Sequence, residues 1–187
     1  MKTLRLIAML VVVSALTGCV AAVVGGAGGA ALVGADRRTV GTVTEDQGIE
    51  LKTGNRISDK YPDAHINVTS YNRMVLLTGE TTSSEARAEI EKIARAVENV
   101  RGVYDEIAIV GNSSLGTRTN DSFLTSKVKA RFVDAGKFNA VHVKVVTESG
   151  VVYLLGLVTH KEADDATEIA RTTSGVQKVV RLFEFLD

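Results

Sequence analysis

The side chains best suited to covalent or metal chemistry in this 187-residue chain are one cysteine, Cys19, and three histidines. Cys19 follows an N-terminal apolar run, Leu6 to Leu16, which is itself preceded by the basic residues Lys2 and Arg5. The order charged, apolar, small is typical of a secretory signal. The run is too short to span a bilayer, which needs about 20 apolar residues. Residues 1–18 are therefore predicted to be a signal peptide, directly followed by the thiol of Cys19.

The four residues Leu16-Thr17-Gly18-Cys19 resemble the lipobox of bacterial lipoproteins. The resemblance implies that Cys19 is diacylated, becomes the first residue after cleavage, and then receives a further acyl chain, such as palmitate, on its amino group. Three acyl chains give a stable membrane anchor, because two lipid signals already suffice. Val20 occupies the place where Asp is the usual inner-membrane retention signal, so the resemblance implies the outer membrane. The alternative is an ordinary secreted protein in which Cys19 falls here by chance.

Composition and charge argue against several functional classes. A single cysteine cannot form an intrachain disulfide, and once lipidated it cannot act as a nucleophile or ligate zinc. The chain has 22 basic and 22 acidic residues, and loss of the signal peptide leaves 20 basic residues against 22 acidic ones. This slightly acidic mature chain is not expected to bind nucleic acid in general.

Residues 20–35 consist of glycines and small apolar residues without charge. Glycine is a poor helix former, and five glycines lie between Gly25 and Gly34. We therefore predict that residues 19–45 are a lipidated cysteine followed by a flexible tether close to the membrane. A segment that lies in the membrane interface is the alternative. The glycine run is not a dinucleotide-binding fingerprint, because no strand precedes it.

The remainder of the chain contains two copies of one sequence unit. At an offset of 77 residues, the matching segments are Ile66-Asn67-Val68 with Val143-Lys144-Val145, Val75 with Val152, Leu77 with Leu154, and Gly79 with Gly156. At an offset of 76, Ile93-Ala94-Arg95 aligns with Ile169-Ala170-Arg171. This self-similarity predicts a duplicated domain, with copies at 46–110 and 121–187 and a linker over 111–120.

Each copy is predicted to contain an N-terminal helix, two paired strands, a second helix and a last strand. Alternating apolar residues joined by short loops, which contain Asn72 or Ser149-Gly150, predict the strand pairs. The predicted strands are Ile66 to Ser70, Met74 to Thr78 and Val103 to Val110 in the first copy, and Val143 to Thr147, Val151 to Leu155 and Val179 to Leu186 in the second. The fold class is therefore α+β, with each copy an α-β-β-α-β sandwich whose helices pack on a small three-stranded mixed sheet.

The predicted helices carry one apolar stripe each. In the N-terminal helices this stripe consists of Ile49 and Ile57 in the first copy and of Leu124, Val128 and Phe132 in the second. Capping boxes at the start of the second helix are predicted from Thr82 with Glu85 and from Thr159 with Glu162. The inward faces of the second helices are predicted to be Ala86, Ile90, Ile93 and Val97 in one copy and Ala163, Ala166, Ala170 and Thr173 in the other.

This pattern resembles the BON domain, in which a Gly-Val-x-x-Val turn leads into the last strand. The second copy contains that turn as Gly175-Val176-Gln177-Lys178-Val179, and the first copy has Asn99 in place of the glycine. Asparagine also tolerates a left-handed backbone. A lipobox, a tether and two such copies resemble the dual-BON outer-membrane lipoproteins. The resemblance implies a lipid-anchored protein at the periplasmic face, enriched at the division site, that binds phosphatidylglycerol or cardiolipin through its second domain and supports envelope integrity and cell division.

No enzyme, cofactor or metal site is predicted. His65 and His142 lie at equivalent places before the first strand of each copy, which indicates a shared structural role. His160 lies at a helix start, with no neighbour that could orient it as a base or complete a ligand set. The sequence contains no nucleophile elbow, zinc-ligand spacing or phosphate loop. An envelope hydrolase is therefore the least favoured hypothesis.

The two copies differ in charge. Residues 46–110 contain 8 basic and 11 acidic residues, whereas residues 121–187 contain 9 of each. The first helix of the second copy collects a basic group that consists of Lys127, Lys129, Arg131 and Lys137, with Asp134 as the acid among them. Anionic surfaces are expected to prefer the second copy.

The same helix carries Phe123, which lies about 100° from Leu124 on the side of Lys127 and Ala130. An aromatic residue beside lysines, on a helix whose buried stripe is already complete, is typical of interfacial membrane contact. The predicted phospholipid-binding residues are Phe123, Leu124, Lys127, Val128, Lys129, Arg131, Phe132 and Val133. The alternative is that Phe123 packs as a staple against the domain or the linker.

A second functional hypothesis is a protein-interaction adaptor without direct lipid readout. Its two domains dock on each other, or on outer-membrane assembly or peptidoglycan amidase-regulating proteins. In that case charge reversal of Lys127 and Lys129 leaves localisation unchanged. The linker, Gly111 to Asn120, is short and polar, which is compatible with domains that tumble and with domains that pack.

Overall fold

A computed structural model describes residues 36–111 and 114–187. The predicted signal peptide, Cys19 and the predicted tether up to residue 35 lie outside the described residues. Residues 37–187 form one compact unit. Within the described ranges, no helix combines the length and the apolar character that crossing a membrane requires.

The first domain consists of two helices and a small sheet. Its elements are α1 (Val40–Lys60), β1 (His65–Tyr71), β2 (Met74–Thr81), α2 (Ser84–Arg95), β3 (Gly102–Asp105) and β4 (Ala108–Ile109). Strand β1 runs antiparallel to β2, and β2 runs parallel to β3 and β4. The central strand is therefore β2.

The second domain repeats this arrangement. Its elements are α3 (Leu115–Ala135), a single 3-10 turn (Ala140–His142), β5 (Val143–Glu148), β6 (Val151–Val158), α4 (His160–Arg171) and β7 (Lys178–Phe185). Strand β6 is central, antiparallel to β5 and parallel to β7. The α+β fold predicted from the duplicated sequence is confirmed.

The last strand of the first domain, predicted over Val103 to Val110, is interrupted at Ile107. Ile107 turns its side chain into the core, where it is 2% exposed, and its amide bonds to the carboxylate of Asp105 at 3.1 Å. The interruption lies opposite Gly79, whose φ is +111°. A Cβ atom on Gly79 would lie 1.9 Å from the carbonyl oxygen of His65, so no other residue fits this position without a backbone shift.

The first helix of each domain begins inside a segment that the sequence predicted to be irregular. Helix α1 begins at Val40, within the predicted tether, because the hydroxyl of Thr39 accepts a hydrogen bond from the amide of Thr42. Helix α3 begins at Leu115, within the predicted linker, with Ser114 as its N-cap. The polar residues of these segments therefore cap helices.

One of the two predicted capping boxes is present. Thr159 and Glu162 form the box at the start of α4, which confirms that prediction. The box predicted from Thr82 and Glu85 is wrong, because Ser83 is the N-cap of α2 and accepts from the amide of the third helical residue at 3.1 Å. Four consecutive hydroxyl residues precede Glu85, so the sequence alone leaves the capping residue ambiguous.

A buried aspartate holds the hairpin turn in each domain. Asn72 and Arg73 have φ of 50° and 64°, and their amides donate to the carboxylate of Asp46 at 2.8 and 2.7 Å. Asp121 accepts from both amides of Ser149-Gly150 at 2.8 Å. These hydrogen bonds stabilise backbone conformations that are uncommon for residues other than glycine.

Each sheet has an apolar core on the face that its helices cover. The buried core of the first domain consists of Ile49, Ile57, Val75, Leu77, Ile90, Ala94, Val97 and Ile107. That of the second consists of Val128, Phe132, Val143, Val145, Val152, Leu154, Val158, Ala163, Ala166, Ile169 and Ala170. The predicted inward face of α2 differs from the observed one, because Ala94 is fully buried whereas Ala86 and Ile93 are only half-buried.

The opposite faces of the two sheets pack on each other. Tyr71 and Leu76 of the first sheet and Tyr153 and Leu155 of the second form a third apolar cluster, in which no side chain is more than 5% exposed. The domains therefore dock on each other. Polar contacts at 2.8–2.9 Å join them as well, between Arg101 and Glu184, Lys144 and Glu50, and Asn72 and Glu184.

Candidate functional site

Apolar side chains lie on two opposite faces of α3. On the inner face, Leu124, Val128 and Phe132 are 3%, 0% and 0% exposed. On the outer face, Phe123 and Val133 are 66% and 68% exposed. Phe123 therefore does not pack as a staple within the described part of the chain, and the outer face offers apolar surface to a partner.

The predicted phospholipid-binding set included the three inner residues, and the structure assigns them to the core. Leu124, Val128 and Phe132 pack beneath the helix, and the ring of Phe132 meets that of Phe138 edge to face at 5.1 Å between centroids. They influence a surface contact only by holding α3 in place. Any direct contact between α3 and a partner is made by the residues of its outer face.

Three apolar residues of the outer face of α3 lie at similar angles round the helix, with the exposed polar residues Ser126 and Asp134 among them. At 100° per residue, Phe123, Ala130 and Val133 fall within about 80° of one another, and we call these three residues the α3 stripe. The stripe is about 15 Å long, since each residue of an α-helix rises about 1.5 Å. Lys127 lies about 40° beyond Phe123 on one side, and Lys129 lies about 40° beyond Val133 on the other. Apolar surface bordered by positive charge is typical of a helix that lies in a lipid–water interface.

The two lysines beside the stripe differ in their contacts. Lys129 is exposed and makes no hydrogen bond or ion pair with the described residues. The ammonium group of Lys127 donates to the carbonyl of Ser174 at 2.9 Å, at the end of the turn that follows α4. Lys129 is therefore the cation of α3 most free to meet an anionic group.

The other two members of the predicted basic group hold α3 against α4. Arg131 donates to the carbonyl of Ile169 at 2.9 Å and to the hydroxyl of Thr173 at 2.7 Å. Lys137 pairs with Asp165 at 3.0 Å. The predicted group of four bases therefore contributes two bases to the border of the stripe.

An open groove lies beside Val133, where the two domains meet. Its lining consists of Arg38, Tyr71, Lys129, Val133, Ala140, Val141, Val143 and Lys144. The guanidinium of Arg38 lies 3.9 Å over the ring of Tyr71 and donates to Asp46 at 2.8 Å. Two cations from outside α3 thus line the groove next to Lys129, and each is paired with an acid, Arg38 with Asp46 and Lys144 with Glu50 at 2.8 Å.

The chain enters the compact unit beside this groove. Arg38 lines the groove, and Arg37 donates two hydrogen bonds to the carboxylate of Glu162, at 2.6 and 2.9 Å. Arg37 also donates to the carbonyl of Leu157 at 2.9 Å. These contacts attach the first residues of the unit to the second domain, on the side where the stripe ends.

The Arg37 contact controls the ionisation of Glu162. Arg37, followed by the amide and hydroxyl of Thr159, lowers the pKa of the Glu162 carboxyl from 4.5 to about 2 against the opposing effect of burial. Because this pKa is lower in the folded chain, the contact stabilises the fold above pH 4.5, and the stabilisation is lost as the pH falls from 4.5 toward 2. We expect Arg37→Gln to raise the pKa of Glu162 and to move acid unfolding to a higher pH. An NMR titration of the Glu162 carboxyl carbon measures the first effect.

Lys161→Gln is the matched control for this prediction. Lys161 is exposed and pairs with Asp165 at 2.7 Å on the same helix. Its loss is expected to leave the pKa of Glu162 unchanged. If Arg37→Gln also leaves that pKa unchanged, the assignment of the shift to Arg37 is wrong.

The two equivalent histidines contact different acids. In the first domain, the Nδ1 atom of His65 lies 2.9 Å from a carboxylate oxygen of Glu80. In the second, the Nδ1 atom of His142 lies 3.6 Å from a carboxylate oxygen of Glu162. One duplicated sequence position thus contacts a different acid in each domain.

Sequence reasoning missed four residues that shape this region. Arg37 and Arg38 fall in the predicted tether, although the threonine that caps α1 directly follows them. Asp46 and Asp121, which hold the hairpin turns, align at an offset of 75 residues. An acid repeated at the seventh residue of the first helix of each domain is the signal for that role.

Comparison with known families identifies both domains. The BON domain family model matches residues 45–111 and 120–187. These two matches together cover most of the described residues, and each includes a helix–hairpin–helix–strand unit except for the first five residues of its first helix.

Comparison with individual proteins gives similarity along most of the chain. The outer membrane lipoprotein DolP of Haemophilus influenzae is 39% identical over 175 residues, which are 92% of this chain and 91% of that protein. The 21 kDa hemolysin of Actinobacillus pleuropneumoniae is 32% identical over 154 residues, covering 81% and 79%. The osmotically-inducible protein Y of Escherichia coli is 30% identical over 145 residues, covering 75% and 72%.

Proposed function

The chain belongs to the BON domain family, and from this premise we propose that it is a non-enzymatic outer-membrane lipoprotein that binds anionic phospholipids through the α3 stripe. Similarity to the outer membrane lipoprotein DolP supports the location. The observation that carries lipid binding is the exposure of Phe123 and Val133 between Lys127 and Lys129. Acyl chains on Cys19 hold the protein at the periplasmic face, where it is enriched at the division site and supports envelope integrity and cell division.

The free energies expected for the lipid contact of the α3 stripe predict that it is weak on its own but populated when a membrane anchor is present. An apolar side chain that enters the acyl region contributes up to about 1.5–3 kcal/mol. A base near an anionic leaflet contributes about 1 kcal/mol. The anchor keeps the local concentration of lipid high, so even this modest affinity keeps the stripe on the membrane. The entry of the chain at Arg37 and Arg38, beside the end of the stripe, allows both contacts at once.

Co-sedimentation of residues 37–187 with vesicles tests this proposal, because these residues form the compact unit without the anchor. We expect binding to vesicles that contain phosphatidylglycerol or cardiolipin, little binding to neutral vesicles, and weaker binding at high salt. Lys129→Glu replaces an attracted charge with a repelled one, each worth about 1 kcal/mol, and is expected to weaken binding roughly tenfold or more.

Lys52→Glu provides the matched control, since Lys52 is an exposed lysine on the corresponding helix of the first domain. This change should alter binding little. Equal binding to neutral and anionic vesicles, or equal losses in the two variants, would contradict a site on α3.

The adaptor hypothesis is supported by apolar side chains outside α3. Ile109 and Val110 lie at the end of the last strand of the first domain, Phe185 and Leu186 lie at the end of that of the second, and all four are 45–55% exposed. Such strand ends are suited to bind a protein of the outer-membrane assembly or peptidoglycan amidase-regulating machinery. If the adaptor hypothesis is correct, reversal of Lys127 and Lys129 leaves localisation intact, whereas polar substitutions at these strand ends disturb it.

A further inference from the structure

Three side chains with metal-binding atoms meet where the two domains pack. His65 and Glu80 lie opposite each other in the register of β1 and β2. Glu148, at the end of β5, reaches them from the second domain. One imidazole nitrogen and two carboxylate oxygens, one atom from each residue, all lie within 4.8 Å of one another.

The two carboxylates of this group are deeply buried. Glu80 is 2% exposed and Glu148 is 7% exposed. Buried charge is retained in proteins when a counter-charge or a metal ion compensates it. The interface at this point is therefore suited to a cation.

We propose that His65, Glu80 and Glu148 bind a divalent metal ion, with Zn²⁺ as the best match. Zinc accepts imidazole nitrogen and carboxylate oxygen at about 2.0–2.2 Å in a tetrahedral arrangement. Ligand atoms at such distances lie about 3.3–3.5 Å apart, which is within the spread of these three atoms. A water molecule completes the tetrahedron. Ca²⁺ is a poor match, because it takes about 6–8 oxygen ligands.

The surroundings of the three residues support metal binding. The amide of Asn67 donates to a carboxylate oxygen of Glu148 at 2.8 Å, which orients this ligand as outer-shell partners of metal sites do. An open cavity reaches two of the three residues from solvent, and its lining includes His65, Asn67, Arg118 and Glu148. An ion can therefore enter without separation of the domains.

Because its ligands come from both domains, the ion links them. Metal binding to the folded pair, and not to the unfolded chain, raises the temperature of unfolding by mass action. At an ion concentration of about 100 times the dissociation constant, the expected rise is about 5–10 °C. This role is independent of the proposed lipid contact.

Isothermal titration of the EDTA-treated full chain in detergent, with ZnCl₂ as titrant, tests the site. We expect one saturable ion per chain, with Mg²⁺ giving no comparable signal. Glu148→Gln removes the charge of a ligand and leaves an amide of similar shape. It is expected to lower the affinity for zinc at least tenfold, since even changes to outer-shell partners lower metal affinity by about 10–100-fold. Absorption of Co²⁺ in place of zinc gives a second measurement that reports on the ligands and not on stability.

His142→Gln is the matched control, because His142 lies at the equivalent position and faces the Arg37-bound Glu162. This variant is expected to bind zinc as the parent does. No saturable binding in the parent overturns the proposal, as does an affinity that Glu148→Gln and His65→Gln leave unchanged. Circular dichroism of each variant separates loss of the site from loss of the fold.

Discussion

Phe123→Glu is expected to weaken binding of residues 37–187 to vesicles that contain phosphatidylglycerol or cardiolipin by roughly 100-fold. The change removes an apolar contribution of up to about 1.5–3 kcal/mol and adds a charge that an anionic leaflet repels by about 1 kcal/mol. Every 1.4 kcal/mol corresponds to about a factor of ten in affinity. Phe123 is 66% exposed, so the fold should tolerate the change. Vesicle titration followed by sedimentation measures the affinity, and circular dichroism checks the fold.

Leu51→Glu is the control that tests whether the loss of binding depends on the position of the substituted residue and not only on the type of substitution. Leu51 is 65% exposed on α1, the corresponding helix of the first domain, so the change exposes a similar charge at a similar apolar site. It should leave vesicle binding within about twofold of the parent. Equal pelleting of parent and Phe123→Glu, or pelleting of neither, would leave the acyl chains as the lipid contact and favour the adaptor hypothesis.

The repeated parts of the fold could be predicted because short-range spacing determines them. Asn99 and Gly175, aligned as equivalent turn residues, both have the left-handed backbone that the alignment implies, with φ of 67° and 102°. The exposure of Phe123 follows from helical periodicity once Leu124 is placed inside. Each of these features depends only on residues that lie close to it in the sequence.

Contacts between distant segments could not be predicted in this way. Arg37 meets Glu162 across 125 residues, and Asn67 meets Glu148 across 81 at the contact between the two domains. Arg131 looked like a surface cation by its spacing, yet the crossing of α3 and α4 brings it to the carbonyl of Ile169. Hydrophobic period identifies which side of an element is buried, but not which element covers it.

The free energy of unfolding of Phe132→Ala tests whether α3 has a buried inner face and an exposed outer face. Phe132 is fully buried and packs on Phe138, so its truncation leaves a cavity and is expected to lower the free energy of unfolding by about 3–5 kcal/mol. Phe123→Ala on the outer face is expected to change it by less than about 0.5 kcal/mol. Urea unfolding of residues 37–187, followed by far-ultraviolet circular dichroism, measures both values.

The same two variants distinguish a residue that holds α3 in place from a residue that contacts the lipid directly. Below its unfolding midpoint, Phe132→Ala keeps the α3 stripe in place, so each folded molecule should bind anionic vesicles nearly as well as the parent. Phe123→Ala should show the reverse behaviour, with parental stability and a lower affinity. If Phe132→Ala is as stable as the parent, α3 does not bury its inner face as the structure shows, and the assignment of Phe123 and Val133 to a free outer face fails with it.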